Sequence, residues 1–298
     1  MTGPLTGKVI VVTGSTRGIG RSIAEACAAA GADVVVSSRS TDAVDETVHA
    51  LEERGMACTG VTCNVSSGRD VRALFAHALE TRGRIDVWVN NAGISQGYRP
   101  FDELSDAEIA EIIDINLTGT ALGCRIALGH FREHGGVLLN MAGRGFRGEA
   151  TPHTAAYAAT KAAIASLTRS LAAENRDRPN VHVHALVPGM VATDFYRNIK
   201  TSPRLEATRG NVDLALNAFG VPLDEVGRRT AEFLARHTGG VAQSSVLEAA
   251  ANIPTTAHIL GGAVIGADAT LAIMAGGDEY AFIACQPGLC QAQVLHLH

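Results

Sequence analysis

Two short runs in this 298-residue chain hold residue types that could do chemistry together. In the run YAATK, Tyr157 and Lys161 are four apart, so on a helix both side chains lie on one face. A phenol is a poor acid or base at neutral pH, with an ordinary pKa of about 10. A neighbouring ammonium stabilises the phenolate and lowers that value. Tyr157 could then exchange a proton with a carbonyl or carbinol oxygen. The second run is TGSTRGIG, Thr13 to Gly20. Gly14 permits a tight turn, Gly18 a close backbone approach, and Gly20 close packing of helix on sheet. Together with Ser15, Thr16, Arg17 and Ile19 it forms a cradle at a helix N-terminus, where free N–H groups favour a pyrophosphate.

That cradle implies a nicotinamide dinucleotide, and the end of the next apolar run says which one. A carboxylate there would accept hydrogen bonds from the adenosine ribose and repel a 2′-phosphate. The sequence VVVSSRS instead presents Ser38 and Arg39, with Arg17 as a second cation. Guanidinium groups suit a phosphate. NADP(H) is therefore expected over NAD(H).

The elements around these runs alternate. Lys8–Val12 reads as a buried parallel strand, followed by a helix over Ile19–Ala30, a strand at Asp33–Val36 and a helix over Asp42–Glu53. A short strand at Val61, a helix over Arg69–Thr81, a strand at Ile85–Asn90 and one long helix over Asp106–His130 continue the pattern. A strand at Val137–Met141, a helix over Thr154–Glu174 and a strand at Val181–Val187 complete it. Repeated βαβ units predict an α/β, doubly wound parallel sheet, the Rossmann fold. Residues 1–238 read as the catalytic domain, with Met190–Pro222 as a lid-type region, and residues 239–298 as an irregular C-terminal tail.

Further motifs occur in order: NNAG at Asn90–Gly93, Asn116 in DINLTG, and PGMVATD at Pro188–Asp194. With TGSTRGIG and YAATK they resemble the short-chain dehydrogenase/reductase family over residues 5–237. The resemblance implies hydride transfer between nicotinamide and a carbonyl or alcohol, with Tyr157, Lys161 and Asn116 as the catalytic set. In that family the Asn116 position holds a relay water. The resemblance also implies that Asn91, Ala92 and Gly93 line the cofactor site and that Asn64 and Val65 meet adenine. Pro188, Gly189, Val191 and Thr193 then stand by the nicotinamide. Family habit implies a homodimer or homotetramer built on the helices containing Asn116 and Tyr157.

One departure is evident. The family places a serine 13 or 14 residues before the tyrosine, and counting back reaches Arg144 or Gly143. A positioned donor contributes about 10²–10³ in rate. Thr151, Thr154 or a backbone N–H near Gly143 are the available substitutes. NMAG and TPHTAAYAATK, after NNAG and Gly97–Phe101, are similar to chlorophyll(ide) b reductases, although a different bulky carbonyl compound is the expected substrate. Ala251–Asp268 resembles a C-terminal segment of glucose–methanol–choline oxidoreductases, which would map His258 near a flavin; the flavin domain is missing and no flavin function is expected.

Composition narrows the classes. The chain is 46% hydrophobic with a net charge of -5, against a nucleic-acid partner. No basic segment precedes a long apolar run at the start, and Ala257–Gly277 is Gly/Ala-rich and carries Asp268, so neither a signal peptide nor a membrane span is expected. Six scattered cysteines without zinc-site spacing read as reduced thiols in the cytoplasm. His130 and His134, four apart, lack a third ligand, and no metal site is expected. The competing reading is a cofactor-binding sensor or scaffold that lost turnover with the serine.

Overall fold

The computed structural model describes residues 3–193, 199–206 and 220–238, together with the backbone of four short strands farther along the chain. The alternating elements are β1 (Val9–Thr13), α1 (Gly18–Ala29), β2 (Asp33–Ser38), α2 (Thr41–Glu52), β3 (Cys58–Thr62), α3 (Gly68–Arg82) and β4 (Val87–Asn90). Next come α4 (Asp106–Ile113), α5 (Gly119–His134), β5 (Gly136–Met141), α6 (Ala155–Glu174), β6 (Val181–Val187), α7 (Leu223–His237) and β7 (Val246–Glu248). The parallel sheet runs β3-β2-β1-β4-β5-β6-β7.

The continuous apolar runs of the strands follow from a sheet covered on both faces. Side chains alternate along a strand. Thus Ile10, Val12, Val34 and Val36 join one core with Ile23 and Cys27 of α1, Leu51 of α2 and Phe233 and Leu234 of α7. Val9, Val11, Val35 and Trp88 join the other, with Leu74 of α3 and Phe131 of α5. A buried polar chain ties the layers near the site: Trp88 Nε1 donates to Asn90 Oδ1 (2.8 Å), Asn90 Nδ2 to Asn140 Oδ1 (2.8 Å), and Asn140 Nδ2 to Thr168 Oγ1 (2.9 Å).

Three features differ from the sequence reading. The expected helix over Asp106–His130 is broken by a π-turn at Asp114–Thr118, which contains Asn116, and the helix after it continues to His134. Leu223–His237 is a helix, with Pro222 before it, Asp224 and Glu225 in its first turn and Val226, Thr230 and Leu234 buried. Beyond residue 238, Val246–Glu248 pairs with β6 as a seventh parallel strand, and β8 (Thr270–Met274), β9 (Glu279–Gln286) and β10 (Leu289–His296) form a separate antiparallel sheet. Its register sets Cys285 opposite Cys290. His258, most of the lid region (194–198 and 207–219) and most of the Ala257–Gly277 stretch lie outside the described residues. Among the described residues no helix is long and apolar enough to cross a membrane, and no group of three potential metal ligands occurs.

Candidate active site

The chain reverses direction across the sheet between β1 and β4, which opens a crevice at their carboxyl ends. Asn91 closes its floor: the backbone N–H groups of Asn91 and Ala92 donate to Thr13 Oγ1 (3.0 and 3.1 Å), and Asn91 Nδ2 donates to the carbonyls of Thr13 and Gly14 (2.9 and 3.1 Å). Gly14 (φ 64°) and Gly18 (φ 54°) take left-handed backbone conformations. A Cβ on Gly20 would collide with Asn91 Nδ2 and the Gly14 carbonyl. The tight turn at Gly14 and the close packing at Gly20 are therefore visible as geometry, whereas a Cβ on Gly18 would meet only Thr193 at an ordinary 3.7 Å. Helix α1 has no side-chain cap at Arg17, whereas Ser40, Ser67 and Ser105 cap α2, α3 and α4. A helix N-terminus without a side-chain cap, a state α1 shares with α5, α6 and α7, is one that can accept an anion.

One cleft of about 580 Å³ gathers Gly14, Thr16, Arg17, Gly18, Ile19, Gly20, Ser38, Arg39, Asn64, Val65, Asn91, Ala92, Gly93, Tyr157, Lys161, Pro188, Gly189, Val191 and Thr193. Two of the expected residues do not line it. Ser15 is fully buried: its hydroxyl donates to the Val12 carbonyl (2.7 Å) and accepts from the Ser37 N–H (2.9 Å), locking the turn to β1 and β2. Asn116 is also fully buried, behind the wall: Oδ1 accepts from Ile94 N–H (2.8 Å), while Nδ2 donates to the Ile94 carbonyl (3.0 Å) and Thr160 Oγ1 (3.2 Å). Its side chain fixes a loop to α6.

At the end of the cleft beside β2, Arg39 is 58% exposed and pairs loosely with Glu111 (3.7 Å). The β2 strand ends in Ser38, whose hydroxyl donates to the Ser40 carbonyl (3.1 Å) and accepts from the Ser40 N–H (3.2 Å). At the other end Lys161 is 4% exposed, donates to the Met141 carbonyl (2.8 Å) and places Nζ 5.5 Å from the Tyr157 ring centre. Burial lowers its pKa from the usual lysine range to about 8.

Gly143 faces the phenol directly: a Cβ built there would lie 2.8 Å from Tyr157 Oη. Of the two positions reached by counting back, this is the one opposite the tyrosine. Neither Thr151 nor Thr154 is among the residues lining the cleft, and the Thr154 hydroxyl donates to the Thr151 carbonyl (3.2 Å). Gln96, Arg99 and Lys200 also line the cleft and had no motif to announce them. Arg99 binds Glu108 at 2.7 Å; the Ser105 backbone N–H, then this guanidinium, hold the Glu108 carboxyl down at about 2.

A dinucleotide cradle at the sheet crevice and a Tyr–Lys pair at its far end define a nicotinamide-dependent oxidoreductase. The chain belongs to the short-chain dehydrogenase family, whose model matches residues 8–204. It is 42% identical over 192 residues to a chloroplastic chlorophyll(ide) b reductase of Arabidopsis thaliana, covering 62% of this chain and 55% of that protein. It is 39% identical over 223 residues to a 3beta-hydroxysteroid dehydrogenase of Eggerthella lenta, covering 74% and 84%. The chain thus spans about half the length of the first relative and most of the second. An alcohol dehydrogenase of Thermococcus sibiricus complexed with 5-hydroxy-NADP superposes with a TM-score of 0.67 at 27% identity, covering 80% of this chain and 95% of that one.

Proposed function

We propose that this chain is an NADP(H)-dependent carbonyl reductase or alcohol dehydrogenase acting on a bulky ketone or aldehyde. The observation that carries the reading is the Tyr157–Lys161 pair, in one cleft with an uncapped, glycine-lined helix N-terminus. Bound NADPH would supply the hydride. Tyr157 hands its proton to the substrate oxygen, and the buried ammonium of Lys161 favours the phenolate that remains. Asn116, through Ile94 and Thr160, keeps the loop and the helix in register. Arg17 and Arg39 receive the 2′-phosphate, which Arg39 reaches by leaving Glu111. A large ring-containing carbonyl or alcohol is the class that both relatives' names share, and Ile94, Ile112, Ile115 and Ile199 give this cleft an apolar wall for one.

Gly143 gives a second reading its footing, namely a cofactor-binding sensor or scaffold with weak turnover, because no side-chain hydroxyl stands at that position. NADPH and NADH oxidation, followed at 340 nm with a panel of aldehydes and bulky ketones, separates the two. Turnover with NADPH supports the enzyme; tight NADPH binding with no turnover on any member supports the sensor. The buried free thiols Cys27, Cys58, Cys63 and Cys124 suit a reducing compartment such as the cytoplasm. We further read the chain as a homodimer or homotetramer that takes small-molecule substrates.

A further inference from the structure

Helix α6 carries Tyr157 in its first turn, yet its own N-cap residue does not serve it. Thr154 makes no side-chain cap bond. The N–H of Tyr157 is instead accepted by Gln96 Oε1 at 3.0 Å, from a residue 61 positions earlier. Gln96 is 2% exposed. Its Nε2 donates to the His153 carbonyl (3.1 Å) and the Arg99 carbonyl (3.3 Å). An amide has one acceptor end and one donor end, so the opposite orientation would set Nε2 against an N–H and Oε1 against two carbonyls. Only one placement satisfies all three partners.

These partners matter. Among the described residues His153 is the non-glycine one with a positive φ (65°), a strained conformation just ahead of the Thr154 N-cap position. Gln96 Nε2 and the Arg99 N–H (3.0 Å) converge on its carbonyl. Arg99 in turn donates through Nε to the Gln96 carbonyl (3.1 Å) and grips Glu108 of α4. On the other side of Tyr157, its carbonyl accepts from Thr160 Oγ1 (2.6 Å), which itself accepts from Asn116. The tyrosine backbone is thus held at its N–H by Gln96 and at its C=O by the Asn116 relay.

We propose that Gln96 is a positioning residue for Tyr157, acting as a distant N-cap that fixes the first turn of α6 and ties it to the loop over the substrate half of the cleft. The phenol oxygen sits at the end of a long side chain, so a small rotation of that turn moves it on the order of 1 Å, a displacement that can lower a rate about 100-fold. The functional consequence rests on Tyr157 being the proton donor; the anchoring itself does not.

The test uses the full chain with Gln96→Met, which keeps volume but removes every polar partner, and Gln96→Glu, which keeps an acceptor for the Tyr157 N–H. Ultraviolet titration of each protein, minus the same protein carrying Tyr157→Phe, isolates the Tyr157 phenol without any substrate. NADPH binding by fluorescence reports the folded fraction. With phenanthrenequinone as a bulky carbonyl probe, or the best substrate of the panel, kcat and KM are measured against pH. Gln96→Met is expected to displace the phenol titration midpoint and to lower kcat about 10- to 100-fold, with NADPH affinity within twofold. Gln96→Glu is expected to fall between it and wild type. An unmoved phenol titration with kcat within twofold would overturn the proposal, as would a kcat loss matched by an equal loss of NADPH-binding sites. Should Gln96→Met not fold, Gln96→Glu is read by the same criteria. Full turnover by Tyr157→Phe would remove the proton-donor reading and leave the anchoring to be judged by the titration alone.

Discussion

Replacing Gly143 with alanine and with serine separates two effects that the family's usual serine combines. The Cβ of either variant would lie 2.8 Å from Tyr157 Oη, while its contacts with Lys161 Cγ and Cδ, at 3.5 and 3.7 Å, are ordinary. The phenol therefore has to retreat by about 0.6 Å to reach an unstrained contact near 3.4 Å, an appreciable fraction of the displacement of about 1 Å that can cost 100-fold. Gly143→Ala is expected to lower kcat about tenfold, or about 1.4 kcal/mol of barrier, with NADPH affinity unchanged. Gly143→Ser adds a hydroxyl, which contributes about 10²–10³ only if it meets the substrate oxygen while the phenol still does. Because the phenol occupies the space next to that Cβ, serine is expected to recover little of the loss and to stay below wild type. Steady-state kcat and fluorescence titration of NADPH measure both variants. If Gly143→Ser exceeded wild type by tenfold or more, the phenol would be free to move, and the site would be one that merely lacks its donor.

Other expectations follow from the same geometry. Arg39→Asp removes a charge-assisted phosphate contact and adds a repelling carboxylate, so it should weaken NADPH binding by at least about 10- to 100-fold while NADH binding stays unchanged or tightens; equal effects on both would remove Arg39 from the 2′-phosphate site. Lys161, with its pKa near 8, is an ammonium below that pH and neutral above it. Reductase kcat should accordingly fall as pH rises through about 8, and a profile flat to pH 10 would contradict the assignment.

Much of the site was legible because its parts are local. The turn from Thr13 to Gly20 declares itself through glycines between a strand and a helix; a Cβ would crowd neighbours at Gly14 and Gly20, and at Gly18 the backbone is left-handed. Tyr157 and Lys161 share a helix face by spacing alone. What remained hidden depends on contacts between distant segments. Nothing near Gln96 indicates that it caps a helix starting at residue 155. Ser15 stands inside the motif, yet its side chain turns inward, donating to the Val12 carbonyl of β1 and accepting from the Ser37 N–H of β2. The π-turn at Asn116 escaped because apolar spacing continues through Ile112, Ile115 and Leu117, and Gly119 directly after it stays helical rather than breaking the run. Helix α7 did carry local signals, Pro222 followed by two acids and a repeating apolar stripe, but they follow an aperiodic stretch.

The central claim, that this cleft uses NADPH and that Tyr157 delivers the proton, is tested most directly by comparing wild type with Tyr157→Phe. Both are assayed for NADPH affinity by fluorescence and for kcat with the best carbonyl substrate of the panel. The phenylalanine variant is expected to bind NADPH within about twofold of wild type and to lose at least about 100-fold in kcat, the typical contribution of general acid catalysis. Equal turnover by the two proteins, or equal inactivity with tight NADPH binding, would contradict it.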